Sequence, residues 1–355
     1  MDRVLGMPAK YIQGQGALNR IGNAASELGQ SALVFADKLV RGLVEQQVSD
    51  SFESAKVAHH WTDFGGECCR SEIDRLKSVA KDREVHIISA IGGGKALDAG
   101  KAVSSELELP FMSIPSIAST DGPVSSIAVE YDEDHTHIGV MRFNRSPSVV
   151  LVDTRVIAEA PARLLVAGMG DGLATWFEAR ACHAKGKTNF RGGAISNVAM
   201  TLARSCHETI LEFGVEAFMA VKRKTVNEAV ERVVEANVFL SGVGFENTGV
   251  AAAHALDAAV SRFSSDHSIQ HGERVALGVL FQLRLEKAEN DLAELRPFYE
   301  KVGLPTTLGG IGLNGMTQES LNALADLILR DGSPIRNLPF DVSKKDVVAA
   351  LKSLI

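Results

Sequence analysis

The chain has 355 residues, 45% hydrophobic and 23% charged, which is enough apolar material for a large core and excludes disorder as the dominant state. Lys and Arg number 37 against 44 Asp and Glu, a net charge of -7 with no strongly basic segment, so neither a nucleic acid nor an anionic membrane is expected as a partner. No apolar run approaches the roughly 18 residues that cross a bilayer. Residues 1–16 hold Asp2, Arg3, Lys10 and Gln13 without an apolar centre and do not read as a secretory signal. Cys68, Cys69, Cys182 and Cys206 show neither zinc-finger spacing nor a disulfide framework, so a reducing, cytoplasmic setting is expected. The adjacent pair Cys68-Cys69 reads as packing or surface thiols.

In chain order, the first predicted strand is Ser31–Ala36 (SALVFA), with Asp37 directly after it. Residues 72–80 follow helical spacing through Ile73, Leu76, Val79 and Ala80. Residues 85–91, 110–114 and 149–152 are further short β-rich runs. Apolar runs alternating with helices predict a parallel sheet covered on both faces. Beyond Pro161, a residue suited to a helix start, β-runs almost vanish. Helical stripes occupy 189–213, 226–234, 249–263, 275–289 and 343–354. The predicted layout is an α/β dinucleotide-type domain over 1–160 and an all-helical domain over 161–355, with a ligand cleft between them.

The turn Gly92-Gly93-Gly94-Lys95 closes a predicted strand and opens a helix over 96–106. Glycines let backbone N–H groups approach a ligand, and the helix N-terminus favours an anion, most plainly a diphosphate. Lys95 adds a point charge, and Asp98 suits the positive helix end. The plainer reading is a tight turn with glycines for packing. The motif is neither G-x-G-x-x-G nor a Walker loop. A second loop, residues 114–126, gathers Ser116, Ser119, Asp121, Gly122 and Ser125 at the carboxyl end of the next strand, where open α/β sheets bind ligands. Asp37, at the end of the first strand, is placed to accept from a ribose.

Ten histidines are scattered along the chain. His59, His60, His135 and His137 read as solvated surface residues. Asp171, among glycines, is expected at a helix start. His254 lies in an apolar helix, and His267 and His271 are four apart. Three or four such groups can hold Zn²⁺ with one position left open. Each also has a bland reading, a hydrogen-bonded core histidine or a capping aspartate, and spacing alone does not choose the set.

The stretches KYIQGQGA (10–17), IGGGKALDAGKA (91–102), PSIASTDGP (115–123), VLVDTRVIAEAPARLLVAGMGDGLATWFEARA (150–181), GFENTGVAAAHA (244–255) and HGERVALGVLFQL (271–283) together resemble the glycerol dehydrogenases, zinc-using members of the iron-containing alcohol dehydrogenase superfamily. The resemblance covers nearly the whole chain. It implies Asp171, His254 and His271 as zinc ligands, and Asp37, Gly94, Lys95, Ser116, Ser119, Ser125, Ile127 and Tyr131 as NAD contacts, beside Gly92, Gly93 and Asp98 of the same turn. It implies Asp121 as the residue that touches the polyol. It further implies NAD-dependent oxidation of glycerol or a similar vicinal diol, with Zn²⁺ lowering the pKa of the alcohol and hydride passing to NAD. The assembly implied is a homo-oligomer, often an octamer. Thr175, where iron-dependent relatives carry a histidine, favours zinc over iron. Two positions depart from the family pattern: Asp257 replaces a frequent histidine, and Gly122 follows Asp121 where alanine is common. The alternatives are the same scaffold acting on another polyol, an amino alcohol or glycerol 1-phosphate, and an inactive nucleotide- or metal-binding oligomer.

Overall fold

A computed structural model describes residues 1–134, 136–264 and 268–355. Six strands, β1 (Lys10–Gly14), β2 (Ser31–Ala36), β3 (Ala58–Asp63), β4 (Ile87–Gly92), β5 (Phe111–Pro115) and β8 (Val149–Asp153), form one sheet in the order β1-β8-β5-β4-β2-β3. All five pairings are parallel. The pleat sends alternate residues to opposite faces. Ala32, Val34 and Ala36 join a core with Val44, Val48 and Phe52 of α2 (Lys38–Ser54). Leu33 and Phe35 join the opposite core, with Ile73 and Leu76 of α3 (Arg70–Asp82) and Leu97 and Val103 of α4 (Gly94–Leu107). The remaining strands, β6 (Ile127–Tyr131) and β7 (His137–Arg142), make a separate antiparallel hairpin.

Strand β8 ties this sheet to the helical half. Val149 and Leu151 face the α2 side of the sheet, while Val150 and Val152 enter the helical core. At its end, buried Asp153 caps α5 (Thr154–Glu159) by accepting from the Arg155 N–H at 3.0 Å. The same carboxylate accepts from the N–H groups of Gly16 and Leu18, each at 3.0 Å. It thereby anchors the turn after β1 to the strand beside it.

From residue 162 onward every regular element is helical among the described residues. The 24-residue α6 (Ala162–Lys185) runs through the middle of this part, packed on α7 (Asn197–Lys222) and on α11 (His271–Glu286). A continuous helical stretch carries α8 (Glu228–Glu235), a wide π turn over residues 236–240, and α9 (Ser241–Thr248). Helix α10 (Ala252–Phe263) packs along α11. Asp171 is not at a helix start, as the glycines suggested, but in mid-α6. The glycines serve close approach instead: a Cβ on Gly168 would sit 1.9 Å from the carbonyl oxygen of Ala118. The stripe over 189–213 becomes helical only from Asn197, and the stripe over 275–289 is broken at Lys287, which adopts a left-handed conformation. No helix is long and apolar enough to cross a membrane among the described residues.

Replacing Asp153 by alanine leaves three N–H groups without their acceptor. The expected loss is about 2–4 kcal/mol of stability. Denaturant unfolding of Asp153→Ala against the parent chain measures it.

Candidate active site

The carboxyl ends of neighbouring strands β2, β4 and β5 place three features side by side. Asp37 follows β2 and caps α2, accepting from the Val40 N–H at 2.9 Å through Oδ1. Beside it an open cleft of about 750 Å³ is lined by Asp37, Leu39, Thr62, Phe64 and Arg75. Gly92 ends β4, Gly93 caps α4 and Gly94 begins it, so the first N–H groups of a 14-residue helix open at this turn. Lys95 stands over the Tyr131 ring, 5.0 Å from its centroid, and bonds Glu67 at 2.5 Å. The loop after β5 holds Ser116, Ser119, Asp121 and Ser125, all buried.

Asp98 is engaged inside the protein. It bonds Lys101 Nζ at 3.0 Å and accepts from the Val129 N–H at 2.9 Å. Lys101, itself buried, donates to the carbonyls of Gly122 and Ile127 at 2.7 and 2.6 Å. The pair fixes the loop that leads into β6 and so seats Ile127. Sequence reading passed over Lys101 because it looked like any helical lysine. The sequence offered only an acid and a lysine three residues apart on one helix, a spacing common on solvated faces.

The helical half brings Asp171, His254 and His271 together. One ligand-type atom from each lies within 4.8 Å of the others. Asp171 Oδ1 is 3.8 Å from His254 Nε2 and 3.4 Å from His271 Nε2. This Oδ1 is buried and has no hydrogen-bond partner, whereas Oδ2 accepts from the Asp121 N–H at 3.2 Å. Both imidazoles are held from behind. His254 Nδ1 is 2.6 Å from Glu178 Oε2, and Glu178 Oε1 also accepts from the N–H groups of His254 and Ala251. His271 Nδ1 is 3.0 Å from Asp257 Oδ2, whose other oxygen takes Arg274 Nε at 2.6 Å. A carboxylate on Nδ1 leaves Nε2 as the outward ligand atom. His135 and His267 lie outside the described residues.

Asp257, the departure from the family pattern, thus sits behind His271 rather than at the open centre. Glu178 was missed from sequence, yet it lies seven residues after Asp171, two turns along the same face of α6. The electrostatics favour a cation. Burial alone would lower the pKa of His254, but the Glu178 and Asp171 carboxylates outweigh it and raise it to about 9. His271 is raised likewise, by Asp257 and Asp171 against its burial. Burial, and then the neighbouring Asp171 charge, push Asp121 up to about 7.

Residues 8–154 match the family model described as iron-containing alcohol dehydrogenase. The chain is 43% identical over 352 residues to a glycerol dehydrogenase of Pseudomonas putida, covering 99% of this chain and 96% of the relative. It is 40% identical to a glycolaldehyde reductase of Halobacterium salinarum, with the same shares covered. The crystal structure of glycerol dehydrogenase from Schizosaccharomyces pombe superposes with a TM-score of 0.94 at 34% identity, over 99% of this chain and 90% of that one. The chain belongs to the iron-containing alcohol dehydrogenase family, among its glycerol dehydrogenases, and is an oxidoreductase.

Two outcomes follow from the paired imidazoles. In metal-free protein the His254–Glu178 pair stabilises the fold fully below the ordinary imidazole value of 6.5, and this stability is lost as pH rises through about 9. Urea midpoints of chelated protein between pH 6 and 10 should fall across that window, and Glu178→Gln should flatten the profile. The same substitution should weaken divalent-metal affinity about 10- to 100-fold, read by competition with a chromogenic chelator.

Proposed function

We propose that the protein oxidises glycerol, or a closely similar vicinal diol, with NAD as hydride acceptor and Zn²⁺ at Asp171, His254 and His271. The observation that carries this reading is the buried Asp171 Oδ1, which lacks a hydrogen-bond partner and faces two imidazole Nε2 atoms at 3.4 and 3.8 Å. A donor set of one carboxylate and two neutral imidazoles suits Zn²⁺ with a position left open. Thr175 presents no fourth ligand, since its hydroxyl is bonded to Ser241 at 2.8 Å. A divalent cation held there would supply Lewis acidity toward the alcohol oxygen, and a nicotinamide cofactor would supply the hydride acceptor.

The rest of the work falls to this chain. The Asp121 N–H holds Asp171 Oδ2 and so sets which oxygen faces the imidazoles. The Asp121 carboxyl, at the same point, receives the hydroxyl next to the reacting carbon. The N-terminus of α4 with Gly92, Gly93 and Gly94 takes the diphosphate. Ser116, Ser119, Ser125, Ile127 and Tyr131 are proposed as further NAD contacts. Asp37 accepts from the ribose, and its charge disfavours a 2′-phosphate.

A phosphorylated substrate finds little support. Arg274, the cation nearest in sequence to His271, already spends Nε on Asp257 and Nη1 on the Ile269 carbonyl. We also propose a domain boundary at residue 160 and assembly into a homo-oligomer, supported by Ile138 and Val140 exposed on β7. Four free cysteines fit a reducing, cytoplasmic compartment.

NADH production is measured on glycerol, 1,2-propanediol, ethylene glycol, 1-amino-2-propanol and glycerol 1-phosphate, before and after chelation and Zn²⁺ addition. Zinc-restorable turnover on the unphosphorylated diols, faster with NAD than with NADP, is expected. Turnover confined to glycerol 1-phosphate, or faster with NADP, contradicts the reading.

A further inference from the structure

The loop that carries Asp121 is clamped from the helical side. Ser241 Oγ donates to Asp121 Oδ2 at 2.8 Å and lies 2.8 Å from Thr175 Oγ1. Ser241 has a single hydroxyl proton, directed to the carboxylate, so Thr175 donates to Ser241. All three side chains are buried. Thr175 sits one turn along α6 from Asp171, so the relay starts on the helix that carries the carboxylate of the metal cluster.

The backbone around Ser241 is built for this contact. It follows directly on the π turn over 236–240, and its own N–H reaches back five residues to the Ala236 carbonyl. Such wide turns recur at functional positions because they re-aim side chains within a helix. Two neighbours of Ser241 grip the same loop. Asn237 Nδ2 donates to the carbonyls of Ala118 and Leu165, at 3.1 and 3.0 Å. Gly242 lets the chain approach so closely that a Cβ there would stand 2.4 Å from the Asp121 carbonyl oxygen.

Resting on the glycerol reading above, we propose that Ser241, backed by Thr175, is a positioning residue that sets the preference for vicinal diols. It occupies Asp121 Oδ2 and presents Oδ1 to the hydroxyl beside the reacting carbon. A serine that merely satisfies a buried carboxylate would matter equally for every alcohol. A positioning serine matters only for substrates that carry the second hydroxyl.

The test compares kcat/KM for 1,2-propanediol and for 1-propanol in the zinc-loaded parent and in Ser241→Ala, Ser241→Thr, Thr175→Val and Asp121→Ala. Bound zinc and NADH affinity are measured on each. Ser241→Ala should cut the diol-to-monoalcohol ratio about tenfold, the order expected for losing one hydrogen bond to a charged group. Ser241→Thr, which keeps the hydroxyl, should restore most of it. Thr175→Val should cut it about threefold, and it carries the test if Ser241→Ala fails to fold. A ratio unchanged in these variants while Asp121→Ala abolishes it overturns the role of Ser241 alone. A parent without diol preference, or an Asp121→Ala variant that retains it, overturns the glycerol reading and this inference with it.

Discussion

A carboxylate with an unsatisfied oxygen in the middle of a buried helix is the constraint around which this molecule is arranged. Leaving such an atom unpaired costs on the order of 1–3 kcal/mol or more, so the surroundings must offer a return elsewhere. Asp171 Oδ1 faces two imidazoles, each fixed by its own carboxylate. Four buried acids, Asp121, Asp171, Glu178 and Asp257, meet around two histidines and one guanidinium. That balance is unfavourable without added positive charge, and the raised histidine pKa values express the same demand through protons. A bound divalent cation answers it more fully.

The fold makes this cluster possible by converging three helices and one loop. Helix α6 contributes Asp171 and Glu178, α10 contributes His254 and Asp257, and α11 contributes His271 and Arg274. The loop after β5 belongs to the sheet by sequence but is held by the helical half, through Asn237, Ser241 and the Asp121 N–H. The carboxyl-end face of the sheet and the Asp171–His254–His271 cluster therefore meet at one residue, Asp121. Small residues such as Gly168 carry the convergence, because any Cβ there would push the loop away.

Much of the fold was legible because burial leaves a pattern. β2, β4, β5 and β8 are central strands, buried on both faces, and read as predominantly apolar runs, interrupted only by small serines or a terminal aspartate. β1 and β3 lie at the sheet edges and β6–β7 stand apart from it, so their sequences, such as AHHWTD in β3, mix polar and apolar residues and gave no such signal. The glycines around Asp171 misled for a related reason. Glycine weakens an isolated helix, yet here tertiary packing requires it inside one.

The residues themselves determined the layer order, the glycine turn at a helix N-terminus and, through resemblance, the trio Asp171, His254 and His271. These depend on local period and on chemistry-bearing side chains that the sequence names directly. Only the tertiary structure decided what stands behind them: Glu178 at His254, Asp257 shared between His271 and Arg274, Lys101 under the loop and Ser241 on Asp121. Each of these contacts other than the Asp257 pair joins residues at least 21 positions apart, and the Asp257 pair joins two separate helices. No local periodicity records such meetings, because they are set by how helices with different registers pack around one buried charge.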